Sequence, residues 1–338
     1  MNLNVSRGVK IGVLGVVMST LALVFIIAQI RLDQFASAFV RANYAYVLPC
    51  LVFLLLGLVT RALRWRALLG GALPLSRAFS IMNVAYLVNG VLPLRLGEVV
   101  RIYLTSQIKD HPVGALKTTG SILVERLLDL LAIVLMVLVG LLFAPVPQEL
   151  QSASAVAAFS AVAGFVALVV LAGHRAWVHH LLVVLTSRFR LIDHQRLARW
   201  VDEFLDGLAP LRSLRGFLTP VLWTCASWAL SLIAGYWLMF AIFGESSVVT
   251  TALYIAAAAF AIAVPAVPGN LGTYEWSIIL ALSAMGYTDM DRMTAFAVLV
   301  HAVNVLVHAS TGLVGLVQEG VSLQQLQRGV RQMQRLEG

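Results

Sequence analysis

Residues 264–275 read Val264-Pro265-Ala266-Val267-Pro268-Gly269-Asn270-Leu271-Gly272-Thr273-Tyr274-Glu275 and interrupt a long apolar stretch, residues 250–285, near its middle. Proline removes a helical hydrogen bond and glycine tolerates unwound backbone, so this pattern predicts a broken helix. Unwound backbone at membrane depth persists only where protein or water satisfies its freed polar groups.

A second apolar stretch, residues 78–106, is broken in the same way. Its break reads Asn89-Gly90-Val91-Leu92-Pro93-Leu94-Arg95-Leu96-Gly97-Glu98. Both breaks contain Pro-x-x-Leu-Gly, from Pro93 to Gly97 and from Pro268 to Gly272, followed by a glutamate within three residues. Three uninterrupted apolar runs separate them, which inverts the second copy relative to the first. We therefore predict two re-entrant broken-helix hairpins in an inverted repeat, the plan of many secondary transporters.

Composition places the rest of the chain in a membrane. Of 338 residues, 60% are hydrophobic and 12% are charged, against roughly 45–50% and about 25% in soluble domains. This excludes a soluble enzyme or a nucleic-acid-binding protein. At about 20 residues per span, we predict an all-α polytopic protein with about six full spans beside the hairpins, as one bundle over residues 1–317. The candidate spans lie near residues 9–30, 45–60, 119–143, 154–173, 217–243 and 293–317.

The basic residues orient this bundle. With a cytoplasmic N-terminus and both hairpins re-entrant, 18 of the 24 basic residues lie on the cytoplasmic side. That positive-inside bias predicts cytoplasmic N- and C-termini, with a tail at residues 318–338. The basic loop at residues 174–216 contains apolar residues at helical spacing, which predicts an amphipathic helix on the membrane surface. Those residues are Leu197, Trp200, Val201, Phe204, Leu205 and Leu208.

Seven charged residues lie inside or at the ends of apolar segments. A charge at a helix centre costs about 2.5–3.5 kcal/mol, so seven unpaired charges would cost about 20 kcal/mol, above a typical net stability of about 5–15 kcal/mol. They must pair or line a polar cavity, and both a functional and a purely structural role stay open. The seven are Arg95, Glu98, Arg101, Glu125, Arg126, Asp129 and Glu275.

Sequence spacing suggests partners for four of these charges. Glu98 and Arg101 are three residues apart, as are Arg126 and Asp129, so each pair shares a helix face. Arg95 lies in the first break, where it could hold an anion such as a lipid phosphate or cap unwound carbonyls.

Glu275 has no cation nearby in sequence. It could exchange protons or bind a cationic head group, but we expect it to be a counter-ion to Arg95 or Arg101 across the repeat interface.

Two further polar clusters have an ordinary and a specific interpretation. Arg61-x-x-Arg64-Trp65-Arg66 ends the second span; it fits an interfacial anchor or a lipid head-group contact, with anchoring favoured. His301, Asn304 and His308 share one face of the last span. The two histidines are about 10.5 Å apart along the axis, too far to share one metal ion without other ligands, so we expect a polar face. We predict no metal, no cofactor and no catalytic residue.

At these residues the chain resembles the transmembrane region of lysylphosphatidylglycerol synthases and its stand-alone relatives, the flippase-like membrane proteins. The resemblance covers most of the chain and implies a bacterial plasma (inner) membrane protein that moves or presents polar lipids. The matching motifs are Arg61-x-x-Arg64-Trp65, Asn89, Pro93-x-Arg95-x-Gly97-Glu98-x-x-Arg101, Glu125-Arg126-x-x-Asp129 and Pro265-x-x-Pro268-Gly269-x-x-Gly272-x-x-Glu275.

Two departures from the family matter. The Pro-Gly-Gly common at the second break is Pro268-Gly269-Asn270 here, which predicts an altered turn. The synthases also carry a soluble aminoacyl-transferase domain after the membrane part, whereas this sequence ends at Gly338, so we expect no lysyl transfer.

The leading functional hypothesis is translocation of a polar, anionic lipid through a midplane pocket. The pocket would use the seven buried charges, with membrane lipids or lipid-linked head groups as partners and no nucleic acid. One alternative is a membrane-embedded transferase that uses Glu98 or Glu275 as a base on a lipid-linked substrate. The other is a non-transporting scaffold of an envelope or lipid pathway that acts through the 174–216 loop.

Overall fold

The computed structural model describes residues 7–91, 96–108, 113–143, 148–186, 194–263 and 268–329. This part of the chain is helical and contains no β-strand. Short 3₁₀ turns at Tyr44–Tyr46, Ala209–Arg212 and Pro268–Asn270 connect some of the helices. The α-helices are α1 Arg7–Gln29, α2 Leu32–Val40, α3 Val47–Leu68, α4 Leu75–Val91, α5 Gly97–Ser106, α6 Ala115–Phe143, α7 Gln148–Gly173, α8 Arg175–Thr186, α9 His194–Gly207, α10 Leu214–Phe243, α11 Val248–Ala263, α12 Thr273–Ala284 and α13 Met290–Glu319.

Several of these helices are long and apolar enough to cross a membrane. Three qualify without a break: α3 with its preceding turn, α10 and α13. Two bent pairs raise the number to five if each pair is one span: α1 with α2, bent by 89°, and α7 with α8, bent by 95°. The 29-residue α6 is as long but carries four charged residues. The predicted all-helical membrane protein is confirmed, with three to five candidate spans rather than about six among the described residues.

The helix after each predicted break folds back against the helix before it: α5 packs on α4, and α12 packs on α11. With 10 and 12 residues, α5 and α12 are about 15 and 18 Å long, shorter than the roughly 30 Å hydrocarbon core. The approach of α5 to α4 is tight, because a Cβ atom at Gly97 would collide with the carbonyl oxygen of Ala85. Pro93, Arg95 and Pro265 lie outside the described residues.

The ends of the two hairpins lie against each other. The turn Pro268–Asn270 packs on α4, and a Cβ atom on Gly269 would lie 3.6 Å from the carbonyl oxygen of Gly90. Gly269 and Gly272 have φ of 71° and 84°, and Asn270 has φ of 56°. Asparagine tolerates this left-handed region better than other residues with a Cβ atom. Asn270 therefore adopts a glycine-like conformation in this turn.

The basic loop and the tail pack against the bundle. The predicted amphipathic helix forms as α9, but its apolar side packs on α6 and buries Leu205 and Leu208 almost completely. Protein rather than lipid therefore covers these two residues, while Trp200 on the same helix stays exposed. In the tail, Leu326 is buried in the core around α4 and α5.

Candidate functional site

Six charged side chains from α3, α5 and α6 form one connected ionic network. They are Arg64, Arg101, Arg126, Glu98, Glu125 and Asp129. The three arginines balance the three carboxylates, so the six side chains together carry no net charge. We refer to these six residues as the ionic network.

Glu125 is the centre of this network. Its two carboxylate oxygens accept hydrogen bonds from Arg101 at 3.0 and 2.9 Å, and Arg64 lies 3.6 Å away. Arg64 in turn donates to both oxygens of Asp129, at 2.6 and 3.1 Å. The side chains of Arg64, Arg101 and Glu125 are at most 2% exposed. Such fork-shaped Arg–carboxylate pairs give the strongest and most directional ion pairs.

Aromatic and hydroxyl groups complete the polar contacts. The guanidinium of Arg101 lies over the Trp65 ring at 4.1 Å, and the Trp65 indole N–H donates to Ser121 Oγ at 3.2 Å. From α10, Trp228 donates to Asp129 at 3.1 Å.

Arg126 and Glu98 form the outer edge of the network, 3.1 Å apart, with side chains 43% and 27% exposed. Through these contacts the network joins α5, the helix after the first break, to α3, α6 and α10.

The sequence-based pairing of these charges is wrong. Glu98 binds Arg126 rather than Arg101, and Asp129 binds Arg64 rather than Arg126. The reason is packing: Glu125 and Asp129, four apart on α6, face α3 and α5, where arginines from other helices reach both carboxylate oxygens.

The sequence predicts that Arg64 and Trp65 lie at the membrane interface. The structure buries Arg64 and Trp65 inside the bundle, at 1% and 0% exposure. Sequence reasoning also missed Trp228. The sequence does contain a signal for Trp228. Its indole N–H lies near the middle of a 30-residue apolar helix and needs a buried hydrogen-bond partner there.

Glu275 has a different partner from the one expected. Its carboxylate accepts a hydrogen bond from the backbone N–H of Gly272 at 2.6 Å and contacts Nδ1 of His301. Since Arg101 is held by Glu125, the predicted Glu275–Arg101 pair is absent, and Arg95 lies outside the described residues. Glu275 therefore caps the start of α12 and joins it to α13.

A cavity of about 150 Å³ lies between α3, α10, α11, α12 and α13. Most of its lining is apolar. Its polar lining comes from Arg61, Trp228, Ser231, Tyr254, Asn304 and His308, with Tyr274 at the α12 side. The structure thus separates Arg61, which lines the cavity, from Arg64, which belongs to the ionic network, and from Trp65, which packs on Arg101 of that network.

The polar face of the last helix is divided between two places. His301 contacts Glu275, while Asn304 and His308 line the cavity, with the His308 ring 5.0 Å from that of Tyr86. No group of three or more His, Cys, Asp or Glu side chains within the described ranges is arranged to hold a metal ion.

Long apolar helices around buried ion pairs and a polar cavity define a multi-pass membrane protein. The chain belongs to the family described as the lysylphosphatidylglycerol synthase TM region, which matches residues 12–312. No curated protein and no solved structure gives a significant match. The family indicates a membrane protein of lipid metabolism or transport.

Proposed function

We propose that this protein moves a polar, anionic lipid across the bacterial plasma membrane, with both termini in the cytoplasm. The observation that carries the proposal is the contact between the two helix breaks, where Gly269 lies against Gly90. Two short broken helices that meet inside an apolar bundle, beside a cavity with several polar residues in its wall, are what an alternating-access carrier needs.

An inverted repeat of α3–α6 and α10–α13 is part of the proposal. Suppose that α3, α4, α5 and α6 correspond to α10, α11, α12 and α13. Each contact between two helices should then have a counterpart between the two corresponding helices. The packing supports this. Contacts of α4 with α13 and of α5 with α6 are matched by contacts of α11 with α6 and of α12 with α13, while α3 packs on α10.

In this mechanism the meeting hairpin ends form the barrier between the two sides of the membrane. A head group crosses within the cavity while its acyl chains stay in lipid. Rocking of one group of helices against the other then changes the side to which the cavity opens.

The transferase alternative finds less support in the geometry. The two carboxylates that it would use as a base are both engaged, Glu98 with Arg126 and Glu275 with Gly272 and His301. The scaffold alternative depends on the 174–216 loop, whose helix α9 packs on α6 and buries Leu205 there.

A reversible lock on the hairpin ends tests the proposal. Gly90→Cys and Gly269→Cys are combined in a background in which Cys50 and Cys225 are replaced by alanine and serine. The protein is reconstituted with head-group-labelled anionic lipid, and a membrane-impermeant quencher reports lipid movement. We expect movement to stop when the pair is oxidised and to return after reduction, because the lock prevents the ends from separating.

The Gly269→Cys single variant is the matched control, since it carries the same backbone strain at Gly269 without a crosslink, and Gly90→Cys alone controls for the other cysteine. Unchanged movement in the demonstrably crosslinked protein, or no movement by the unmodified protein with any anionic lipid tested, would refute the proposal.

A further inference from the structure

Arg61 is a cation inside the bundle without an acidic partner in the part of the chain that the structure describes. It lies about 10 Å before the end of α3 and lines the cavity with Trp228 and Asn304. These two lie near the middle of 30-residue helices, which places the cavity deep in the membrane. The contacts of Arg61 are a long hydrogen bond to Ser231 at 3.4 Å and the Trp228 ring at 5.8 Å.

The arginines of the ionic network differ from Arg61 in having carboxylate partners. Arg64, Arg101 and Arg126 each lie within 3.1 Å of at least one carboxylate oxygen. Arg64 is only three residues from Arg61 on the same helix, yet it points toward α6. Arg61 is half-buried; a guanidinium at membrane depth retains its charge and is costly there unless an anion accompanies it. Arg61 therefore needs an anion that the described side chains do not supply.

We infer that the cavity binds the phosphate group of an anionic lipid head group, with Arg61 as its main contact. Arginine presents a planar set of donors that fits phosphate oxygens. Ser231, Asn304 and His308 add groups able to hydrogen-bond the remaining oxygens. The inference rests on the proposed function for the identity of the ligand as a lipid.

The rest of the cavity wall bears on whether the ligand is a lipid or a free ion. The remaining lining is mainly apolar, including Leu54, Leu58 and Ile255, which favours a lipid over a free hydrated ion.

Trp228 connects this site to the ionic network. One side of its ring system lies near Arg61, and its indole N–H donates to Asp129. The ionic network therefore holds Trp228 in the cavity wall that a bound head group would contact. Arg61 lies beside this wall, and its positive charge is not neutralised by the network.

Equilibrium binding tests the site without requiring transport. The full chain is purified in neutral detergent and titrated with short-chain phosphatidylglycerol, with diacylglycerol as the phosphate-free probe and inorganic phosphate as the free-ion probe. Binding is measured by native mass spectrometry. The variants are Arg61→Gln and Arg61→Lys, and Arg66→Gln is the matched control, because Arg66 lies on the same helix and bonds the Leu73 carbonyl oxygen outside the cavity.

We expect phosphatidylglycerol to bind the unmodified protein about tenfold or more tightly than it binds Arg61→Gln, the effect of one lost charge-assisted hydrogen bond. Arg61→Lys should retain only part of the affinity, because lysine keeps the charge but lacks the planar set of guanidinium donors. Arg66→Gln should bind the lipid normally.

Equal affinity in Arg61→Gln and Arg66→Gln would overturn the inference, as would equal affinity for diacylglycerol. If inorganic phosphate displaced the lipid at equal concentration, the cavity would be a site for a free anion and not for a lipid. Lipid movement that persists in Arg61→Gln without Arg61-dependent binding refutes this site but not translocation. Arg61-dependent binding in a protein that moves no lipid refutes translocation but not the site.

Discussion

Removing the central carboxylate of the ionic network should strongly destabilise the protein. Glu125→Gln keeps the size of the side chain and removes the charge that faces Arg101 and Arg64. The two hydrogen bonds from Arg101, at 3.0 and 2.9 Å, are each worth about 1.5–3 kcal/mol. Removing one partner of a buried ion pair costs about 3–5 kcal/mol in general. We expect the free energy of unfolding to fall by about 3–5 kcal/mol.

The measurement is the loss of helical circular dichroism as SDS is titrated into protein held in mild detergent. The matched control is Asp206→Asn, which removes an exposed partner of Arg175, with side chains 53% and 30% exposed. An exposed ion pair is worth about 0–1 kcal/mol, so this variant should unfold almost normally. Equal losses in the two variants would refute the claim that burial makes the Glu125 contacts strong.

A double-mutant cycle isolates the pair from the rest of the network. If the cost arises from leaving Arg101 unpaired, Arg101→Met combined with Glu125→Met should lose less stability than the two single variants added together. Additive losses would show that Arg101 and Glu125 contribute independently, and the network would then not be a coupled unit.

Substitutions at three further sites, Gly97, Asn270 and Trp65, test packing with the same SDS titration. Gly97→Ala should cost about 1–3 kcal/mol because its Cβ atom meets a backbone carbonyl of α4, whereas Gly90→Ala, with open space around it, should cost nothing. Asn270→Gly should leave stability unchanged and Asn270→Val should lower it by about 1–2 kcal/mol, because φ is 56°. Trp65→Phe should cost about 0.5–1.5 kcal/mol through the lost hydrogen bond to Ser121. Three outcomes would contradict these predictions. They are equal stability of Gly97→Ala and Gly90→Ala, equal stability of the two Asn270 variants, and unchanged stability of Trp65→Phe.

Local chemistry in the sequence was enough to predict the helix breaks. Proline and glycine act on the backbone within one or two turns, so the interruptions near Gly97 and Gly272 can be recognised without tertiary information. The same applies to long apolar helices, whose length is set by bilayer thickness. The candidate spans end at residues 30 and 173, where the structure bends, but the short helices α2 and α8 that follow these bends were not predicted.

The partners of the buried charges depend on packing between distant segments. Arg64 and Asp129 are 65 residues apart, and Arg64 and Thr224 are 160 apart. Helical periodicity shows which residues share a face, but not which face meets which neighbouring helix. The roles of Arg61 and Arg64 could therefore not be separated from sequence, because their three-residue spacing places both on one face of the helix.

The two buried acid–base contacts occupy corresponding places in the proposed repeat. In the first half, Arg101 on α5 binds Glu125 on α6; in the second, Glu275 on α12 contacts His301 on α13. Each contact joins the short helix after a break to the long helix that follows it. The helix before each break packs instead on the long helix of the other half, α4 on α13 and α11 on α6.

Both hairpins therefore connect the same two groups of helices, one around α6 and one around α13. Rotation of one group against the other would change the angle between the arms of both hairpins at once, without breaking either buried contact. The hairpin ends, where Gly90 and Gly269 meet, would move most, because they lie where the two groups join. The two buried contacts thus hold together the parts that would move as units, whereas glycine backbone forms the contact between the hairpin ends, which can separate at little cost.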